Sequence, residues 1–195
     1  MQIFDLLFII LFLSSVVAIV LALVAAARGD RSRARTIVRG SVVVLVAYVV
    51  VVGIVGLASP QHVISLGTDQ CSDDWCIVAD SVHREADRGG TAYTVGLRLS
   101  SRARRVAQRE RFVVVYLRDA DGRRFDPVPD AAAVPFDTLL QAGETIRAVR
   151  RFVVPTGARV VGLVVAREGG LRFPGCCIIG DEGSFLHKRT MVRID

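Results

Sequence analysis

RFVVVYLRDADGRRFD, Arg111 to Asp126, decides how the folded part of this chain is read. Phe112–Leu117 is an unbroken apolar run, rich in valine and bounded by arginines, so Arg111–Asp119 reads as a buried strand. It leads into Ala120-Asp121-Gly122. Asp-Gly marks a tight turn, so Arg123–Asp126 is expected to return antiparallel. Upstream, Tyr93, Val95, Leu97 and Leu99 alternate with Thr94, Gly96, Arg98 and Ser100, a period of two with one face buried and one wet. Downstream, Thr145–Val154 and Arg159–Ala166 read as two further strands, divided by Pro155-Thr156-Gly157. Cys76–Val82 and Cys177–Ile179 read as short strands, and Thr190–Ile194 as a closing one. Ala131–Leu140, interrupted by Pro135, has room for one helical turn at most. Strands at this spacing with turn residues between them predict an all-β antiparallel sandwich.

The rest of the chain is different in kind. The 195 residues are 52% hydrophobic, with a mean hydropathy of +0.45. Most of that excess lies before Pro60. Leu6–Ala27 is 22 residues without a charge and Ser41–Ala58 is another 18. A helix of the first length spans about 33 Å, enough for a bilayer core of about 30 Å. In lipid only a helix satisfies the backbone of the valine-rich second run. The reading is a transmembrane hairpin over residues 1–59, with helices at about 4–27 and 41–58 and a basic turn at 28–40. A sandwich domain follows over 60–195. Ser14, Ala18, Ala22 and Ala26, each four apart, form a small-residue face suited to close helix packing, with Gly53 and Gly56 as a matching patch on the second helix.

The net charge is +6, and Lys188 is the only lysine. Arg28, Arg31, Arg33, Arg35 and Arg39 fall between the apolar runs, with Asp30 as the only acid there. Positive loops stay cytoplasmic, which sets both termini outside and makes the sandwich extracytoplasmic. A cleaved signal peptide ending at Ala25-Ala26-Ala27 is the rival reading. The leading MQIFD carries no Lys or Arg, and the apolar run is too long for a typical signal core.

Leu139–Val165, LLQAGETIRAVRRFVVPTGARVVGLVV, carries a family resemblance. A Leu-x-x-Gly-Glu turn (Leu140, Gly143, Glu144) precedes a strand ending in Phe-x-Val-Pro (Phe152, Val154, Pro155), and a Leu-x-Val strand (Leu163, Val165) follows. This resembles the bacterial extracytoplasmic immunoglobulin-like domains of the DUF4352, telokin-like kind. The Tyr93–Leu99 strand and the Asp121-Gly122 hairpin fit the same pattern. The resemblance implies an immunoglobulin-like sandwich in an accessory or binding role, outside the cytoplasm. It implies no particular activity. The cysteines and Ile178–Thr190 lie outside it.

The four cysteines are Cys71, Cys76, Cys176 and Cys177, an even number that suits disulfides in an oxidising compartment. Adjacent residues rarely bond each other. The expectation is that Cys71 and Cys76 each pair with one of Cys176 and Cys177, or that a single bridge leaves two free thiols. A bridge closing a loop of about 100 residues would stabilise the domain by about 4–5 kcal/mol in the chain-entropy model. The alternative is a metal-handling or thiol-redox protein using all four. The Cys71/Cys76 spacing departs from the two-residue redox motif, and Cys71, Cys76, Cys176 and His187 match no common zinc spacing. Asp73, Asp74, Asp181 and Glu182, with His187 nearby, are the oxygen-rich candidates for a hard cation. Trp75 is expected to pack over a disulfide or the sandwich edge.

Ser100–Arg111, SSRARRVAQRER, holds Arg102, Arg104, Arg105, Arg109 and Arg111. It is either a solvated connection between two strands or a patch for an anionic partner such as lipid headgroups, a cell-surface polymer or an acidic protein. No stacking aromatics are interleaved in it, which argues against nucleic acid. His62 and His83 have no identifiable nucleophile partner. Ser184 and His187 lack a Gly-x-Ser-x-Gly elbow and an acid. The sequence therefore reads as a membrane-anchored binding or scaffolding module, non-catalytic and without a cofactor. Its partners would be the bilayer and either another membrane protein or an anionic surface ligand.

Overall fold

The computed structural model describes residues 3–169, 175–179 and 186–194. The chain forms two compact units, Met1–Pro60 with Leu171–Lys188, and Gln61–Gly170 with Arg189–Asp195. The sequence reading had placed all of residues 60–195 in one domain. Leu171–Lys188 instead groups with the helices.

The first unit contains α1 (Ile3–Ala27) and α2 (Arg31–Ala58). Both are long and apolar enough to cross a membrane, by length and composition. The expected basic turn over 28–40 is far shorter, because α2 begins at Arg31. At the end of α1 the Gly29 N–H donates to Ala26 O (3.0 Å) and the Asp30 N–H to Ala25 O (3.0 Å), with Gly29 at φ +84°. That is a Schellman stop, which uses glycine for the left-handed residue. Asp30 then caps α2, its Oδ1 accepting from the Arg33 N–H at 3.0 Å. Arginine and alanine are good helix formers, so once capped the charged stretch continues as helix rather than loop. Arg31, Arg33, Arg35 and Arg39 are all exposed on its first turns.

The less exposed face of α1 runs through Phe8, Leu11, Ser15, Ala18, Ala22 and Ala25. These steps of three and four follow the 3.5-residue repeat of two helices crossing at a shallow angle. The structure places Ala18 and Ala22 on this face and leaves Ser14 and Ala26 exposed. A strict four-residue stripe turns steadily around the helix and cannot stay in one seam. On α2, Val52 and Gly56 are buried. Residues 175–177 form a 3₁₀ turn, not the strand expected at Cys177–Ile179. The Cys177 carbonyl accepts from the Tyr48 hydroxyl at 2.7 Å instead of from a strand neighbour.

The second unit is a β-sandwich. Its strands are β1 (Val63–Ile64), β2 (Gln70–Ser72), β3 (Trp75–Asp87), β4 (Gly90–Ser101), β5 (Val113–Asp119), β6 (Arg124–Phe125), β7 (Thr145–Pro155), β8 (Val160–Arg167) and β9 (Met191–Val192). One sheet has the order β1-β9-β8-β5-β6 and the other β2-β3-β4-β7. All pairings are antiparallel except β1 with β9, which is parallel. The strands expected from the sequence over 93–99, 111–119, 123–126, 145–154 and 159–166 each form, within a few residues at their ends. The alternation in β4 is realised. Tyr93, Val95, Leu97 and Leu99 are buried, while Arg98 is exposed. Together with Trp75, Ile77, Val115, Leu117, Leu140, Phe152, Val154, Leu163 and Val192 they build one core.

β5 is paired on both edges, by β8 and β6, and is covered on both faces by apolar clusters. Val115 and Leu117 face the main core, while Tyr116 joins Val164, Ala166 and Met191 in a second cluster. This is why its sequence does not alternate. Phe152 is fully buried at the centre of the main core. Phe152→Ala is expected to lower stability by about 3–5 kcal/mol, measured by denaturant unfolding of the full chain. A loss below about 1 kcal/mol would show that the core does not close around this ring.

Candidate functional site

Cys71 and Cys76 are bonded to each other. They face one another in register across the β2–β3 hairpin, with Ser72 opposite Trp75 and a two-residue turn of Asp73 and Asp74. Asp73 takes φ +51°, a left-handed conformation that Asp tolerates better than most residues. This overturns the expected long bridges to Cys176 and Cys177 and matches the other expectation, a single bridge that leaves two free thiols. Both of those cysteines are free, with Sγ atoms 3.1 Å apart. The hydrogen bond with Cys176, together with burial, pushes the Cys177 thiol up to about 11. At neutral pH it is protonated and a poor nucleophile, the reverse of a redox cysteine. The four-cysteine cluster of the metal or redox alternative is thus divided, with one pair spent in a covalent bond.

Among the described residues no three His, Cys, Asp or Glu side chains come together as a metal site. Asp73 and Asp74 are exposed in the hairpin turn and His187 is half-exposed, its Nδ1 2.8 Å from the Lys188 carbonyl. Asp181, Glu182 and Ser184 lie outside the described residues. Trp75 is in the main core, one residue from the disulfide, and its Nε1 has no hydrogen-bond partner among the described residues. His62 and His83 are exposed.

The arginine stretch forms an anchored loop between β4 and β5. Its start is tied by the Ser101 N–H to Glu144 O (2.9 Å) and the Arg102 N–H to Asp74 O (2.7 Å). Its middle is tied by a reciprocal pair between Gln108 and Leu140, both bonds 2.8 Å. Ala103 is buried beneath it. Arg102 is paired with Asp69, which also lies 3.8 Å from Arg98, and Glu110 is paired with Arg167 at 2.8 Å. Arg104, Arg105, Arg109 and Arg111 are exposed and form no ion pair among the described residues.

Two apolar residues sit among these charges. Val106 is 65% exposed and Phe112 is 54% exposed. Phe112 has φ +66°, a strained conformation for an aromatic residue. It is held there because its carbonyl accepts from the Glu168 N–H at 2.8 Å, and its ring lies so close to Gly169 that a Cβ there would meet Cδ1 at 2.9 Å. An open cavity of about 290 Å³ is lined by Arg111, Phe112, Val113, Phe136 and Asp137. Sequence reading singled out the arginines, passed over Val106, and placed Phe112 in a buried strand; β5 begins only at Val113 and Phe112 stands exposed before it. The available signal was an apolar residue directly following a basic one, at Arg105-Val106 and Arg111-Phe112.

Two carboxylates organise the rest of the sandwich surface. Asp119 is buried in the β5–β6 turn. Its Oδ1 accepts from the N–H groups of Asp121 (3.0 Å) and Arg123 (2.8 Å), and its Oδ2 from Arg123 Nε (2.7 Å). Burial raises its pKa, but the hydrogen bonds and charge of Arg123 and the Asp121 N–H outweigh this and hold the carboxyl below its ordinary range. Glu168 is hydrogen-bonded by Arg124 at 2.6 Å and by Arg189 at 2.9 Å. The Arg124 bond leads in lowering its pKa against the opposing effect of burial. The Glu168–Arg189 pair closes the neck through which the chain leaves the sandwich after Gly170 and re-enters at Arg189.

No protein-family model matches the chain, and no curated protein matches it. Among solved structures it is similar to MPT63, a secreted protein from Mycobacterium tuberculosis, at 13% identity and a TM-score of 0.45, covering 70% of this chain and 100% of that one. It is also similar to an uncharacterised β-sandwich protein from Clostridium difficile 630 (10% identity, TM-score 0.45, 70% of this chain and 96% of that one). A third is the yjhA protein from Bacillus subtilis (11% identity, TM-score 0.44, 68% and 99%). The sandwich is established by its own strand pairings, and none of these likenesses assigns it a role.

Two expectations follow from the geometry. The Cys71–Cys76 bond closes a short ring with a sequence separation of 5. Replacing both cysteines with alanine should therefore cost about 2 kcal/mol, half of what a long bridge would give, measured by urea unfolding of the full chain. For Asp119 the folded pKa lies below the unfolded one, so its contribution is present above the ordinary carboxylate range and lost as pH falls through the folded value. Asp119→Asn should lower Tm at neutral pH, and the gap from wild type should narrow on acidification. A gap that stays constant with pH would assign the effect to shape rather than charge.

Proposed function

We propose that this chain is a membrane-anchored, extracytoplasmic binding or scaffolding module that carries out no chemistry of its own. The observation that carries the reading is the surface of the helical unit. α1 exposes large apolar side chains along its length, from Leu6 to Val24, and α2 does so from Val42 to Leu57. Water does not tolerate so large a continuous apolar surface, and a bilayer accepts it. The arginines Arg28, Arg31, Arg33, Arg35 and Arg39 collect at the end where α1 meets α2, and that end is retained in the cytoplasm under the positive-inside rule. Both ends of the hairpin then face outward. A disulfide in the sandwich agrees with an oxidising compartment.

The sandwich supports binding in preference to catalysis through the residue types it exposes. Its open surface features are arginine-rich. A second open cavity, of about 410 Å³, includes Arg84, Arg159 and Arg193 together with Tyr93 and Met191. The groups with shifted pKa values in this unit, Asp119, Glu168, Arg124 and Arg150, are all held by structural hydrogen bonds. None is poised as an acid or base facing a cavity.

The test is the mass of the full chain extracted from membranes and alkylated under denaturing, non-reducing conditions, combined with a C-terminal reporter. Two added alkyl groups, four after reduction, and a reporter active only outside the cytoplasm are the expected results. Four groups before reduction, or a cytoplasmic reporter, would overturn the extracytoplasmic assignment. Recovery of the chain without α1 would replace the hairpin with a cleaved leader.

A further inference from the structure

The two ends of the sandwich differ, and the strand directions say which is which. β3 starts, β4 ends, β5 starts, β7 starts and β8 ends at one pole, as the registers Trp75↔Ser101, Ser100↔Thr145 and Val113↔Arg167 require. The contacts of Arg167 with Ser72 and Glu110 bring the two sheets together at this same pole. The opposite pole carries the β5–β6 turn at Ala120–Gly122 and the β7–β8 turn at Thr156–Ala158.

Every passage of the chain into or out of the sandwich lies at the first pole. Gln61, three residues after the end of α2, donates from Nε2 to the Arg189 carbonyl at 3.1 Å. Arg189 is bound to Glu168, the residue just after β8, and Gly169 lies under the Phe112 ring. The arginine loop joins the end of β4 to the start of β5, so it belongs to this pole as well. This pole is the one joined to α2, with Ser59 and Pro60 between Ala58 and Gln61.

The chemistry of the loop fits a membrane surface. Glu110 is engaged by Arg167, and Asp69 is shared by Arg98 and Arg102. Against Arg104, Arg105, Arg109 and Arg111 there remain Asp73 and Asp74 in the neighbouring turn and Asp137 beside Arg111, so the loop stays net positive by one charge. Val106 and Phe112 stand exposed among those arginines. A soluble polyanion would attract the arginines but has no use for the exposed apolar pair. The boundary between headgroups and acyl chains takes both, with guanidinium groups at phosphate level and apolar side chains just beneath. The loop is also pre-ordered by the Gln108–Leu140 pairing, so little ordering is required on contact.

We propose that the β4–β5 loop is a lipid-facing surface, in which Arg104, Arg105, Arg109 and Arg111 bind anionic headgroups of the adjacent leaflet while Val106 and Phe112 insert at the interface. The proposal rests on reading the helices as a membrane anchor and adds a specific lipid class to it. The test uses the full chain in vesicles with brominated acyl chains, made of phosphatidylcholine alone or with about one third phosphatidylglycerol. Val106→Trp reports from the loop and Ala120→Trp from the opposite pole, each corrected for Trp75. The expected result is quenching of V106W at least about twofold above A120W in the anionic vesicles, reduced in phosphatidylcholine, at high salt and on adding R104Q/R105Q.

Equal quenching of the two tryptophans, or quenching of V106W that ignores lipid charge, would overturn the proposal. So would protection of the loop by soluble polyphosphate in phosphatidylcholine vesicles, which would assign it to a soluble polyanion. Carbonate extraction separates the two levels of the argument. Release of the chain by carbonate would sink the anchor itself, whereas retention without quenching would remove only the lipid-facing loop.

Discussion

The sandwich depends on β4 being paired along its length on both edges. Gly90–Ser101 is in register with β3 on one side and with β7 on the other. With both edges committed, a one-residue slip would turn Tyr93, Val95, Leu97 and Leu99 out of the core and force Arg98 into it, so the register is held by burial as well as by hydrogen bonds. The positions of β3 and β7 follow from this strand. So does the point at which the chain must leave β4, and with it the pole where the arginine loop emerges.

The arginines of this protein fall into two sets. Some arginines are locked to carboxylates in fixed geometry: Arg123 on Asp119, Arg124 and Arg189 on Glu168, and Arg167 on Glu110. These hold turns and necks in place, and the buried Asp119 holds its turn most directly. Others form no ion pair among the described residues; some of these lie at the start of α2 and in the β4–β5 loop, and others, such as Arg88, Arg118, Arg147 and Arg159, are scattered over the sandwich.

The cysteines show how a sound general rule leaves a pairing open. Adjacent cysteines rarely bond each other, which points to long bridges reaching Cys176 and Cys177 or to a single bridge with two free thiols. The single bridge is the one present, because four intervening residues allow a two-residue hairpin, with Asp73 in a left-handed conformation, that sets Cys71 directly opposite Cys76. The helix boundary is a similar case. The charged stretch between the two uncharged runs looks like a turn, yet Asp30 supplies a cap and the arginines extend α2 beyond its apolar run. Both outcomes turn on local backbone geometry that composition does not report.

The sequence alone determined the division into two apolar helices and a β domain, most of the strands, and the inward face of β4. All of these rest on periodicity and hydrophobic content, which are properties of contiguous residues. Only the tertiary structure decided the disulfide pairing, the grouping of Leu171–Lys188 with the helices, and the 3.5-residue seam in place of the Ser14/Ala18/Ala22/Ala26 stripe. It also decided that Val106 and Phe112 stand exposed beside four arginines, at the pole through which the chain enters and leaves the sandwich. Those facts depend on which distant segments share space, and a one-dimensional pattern holds no record of that.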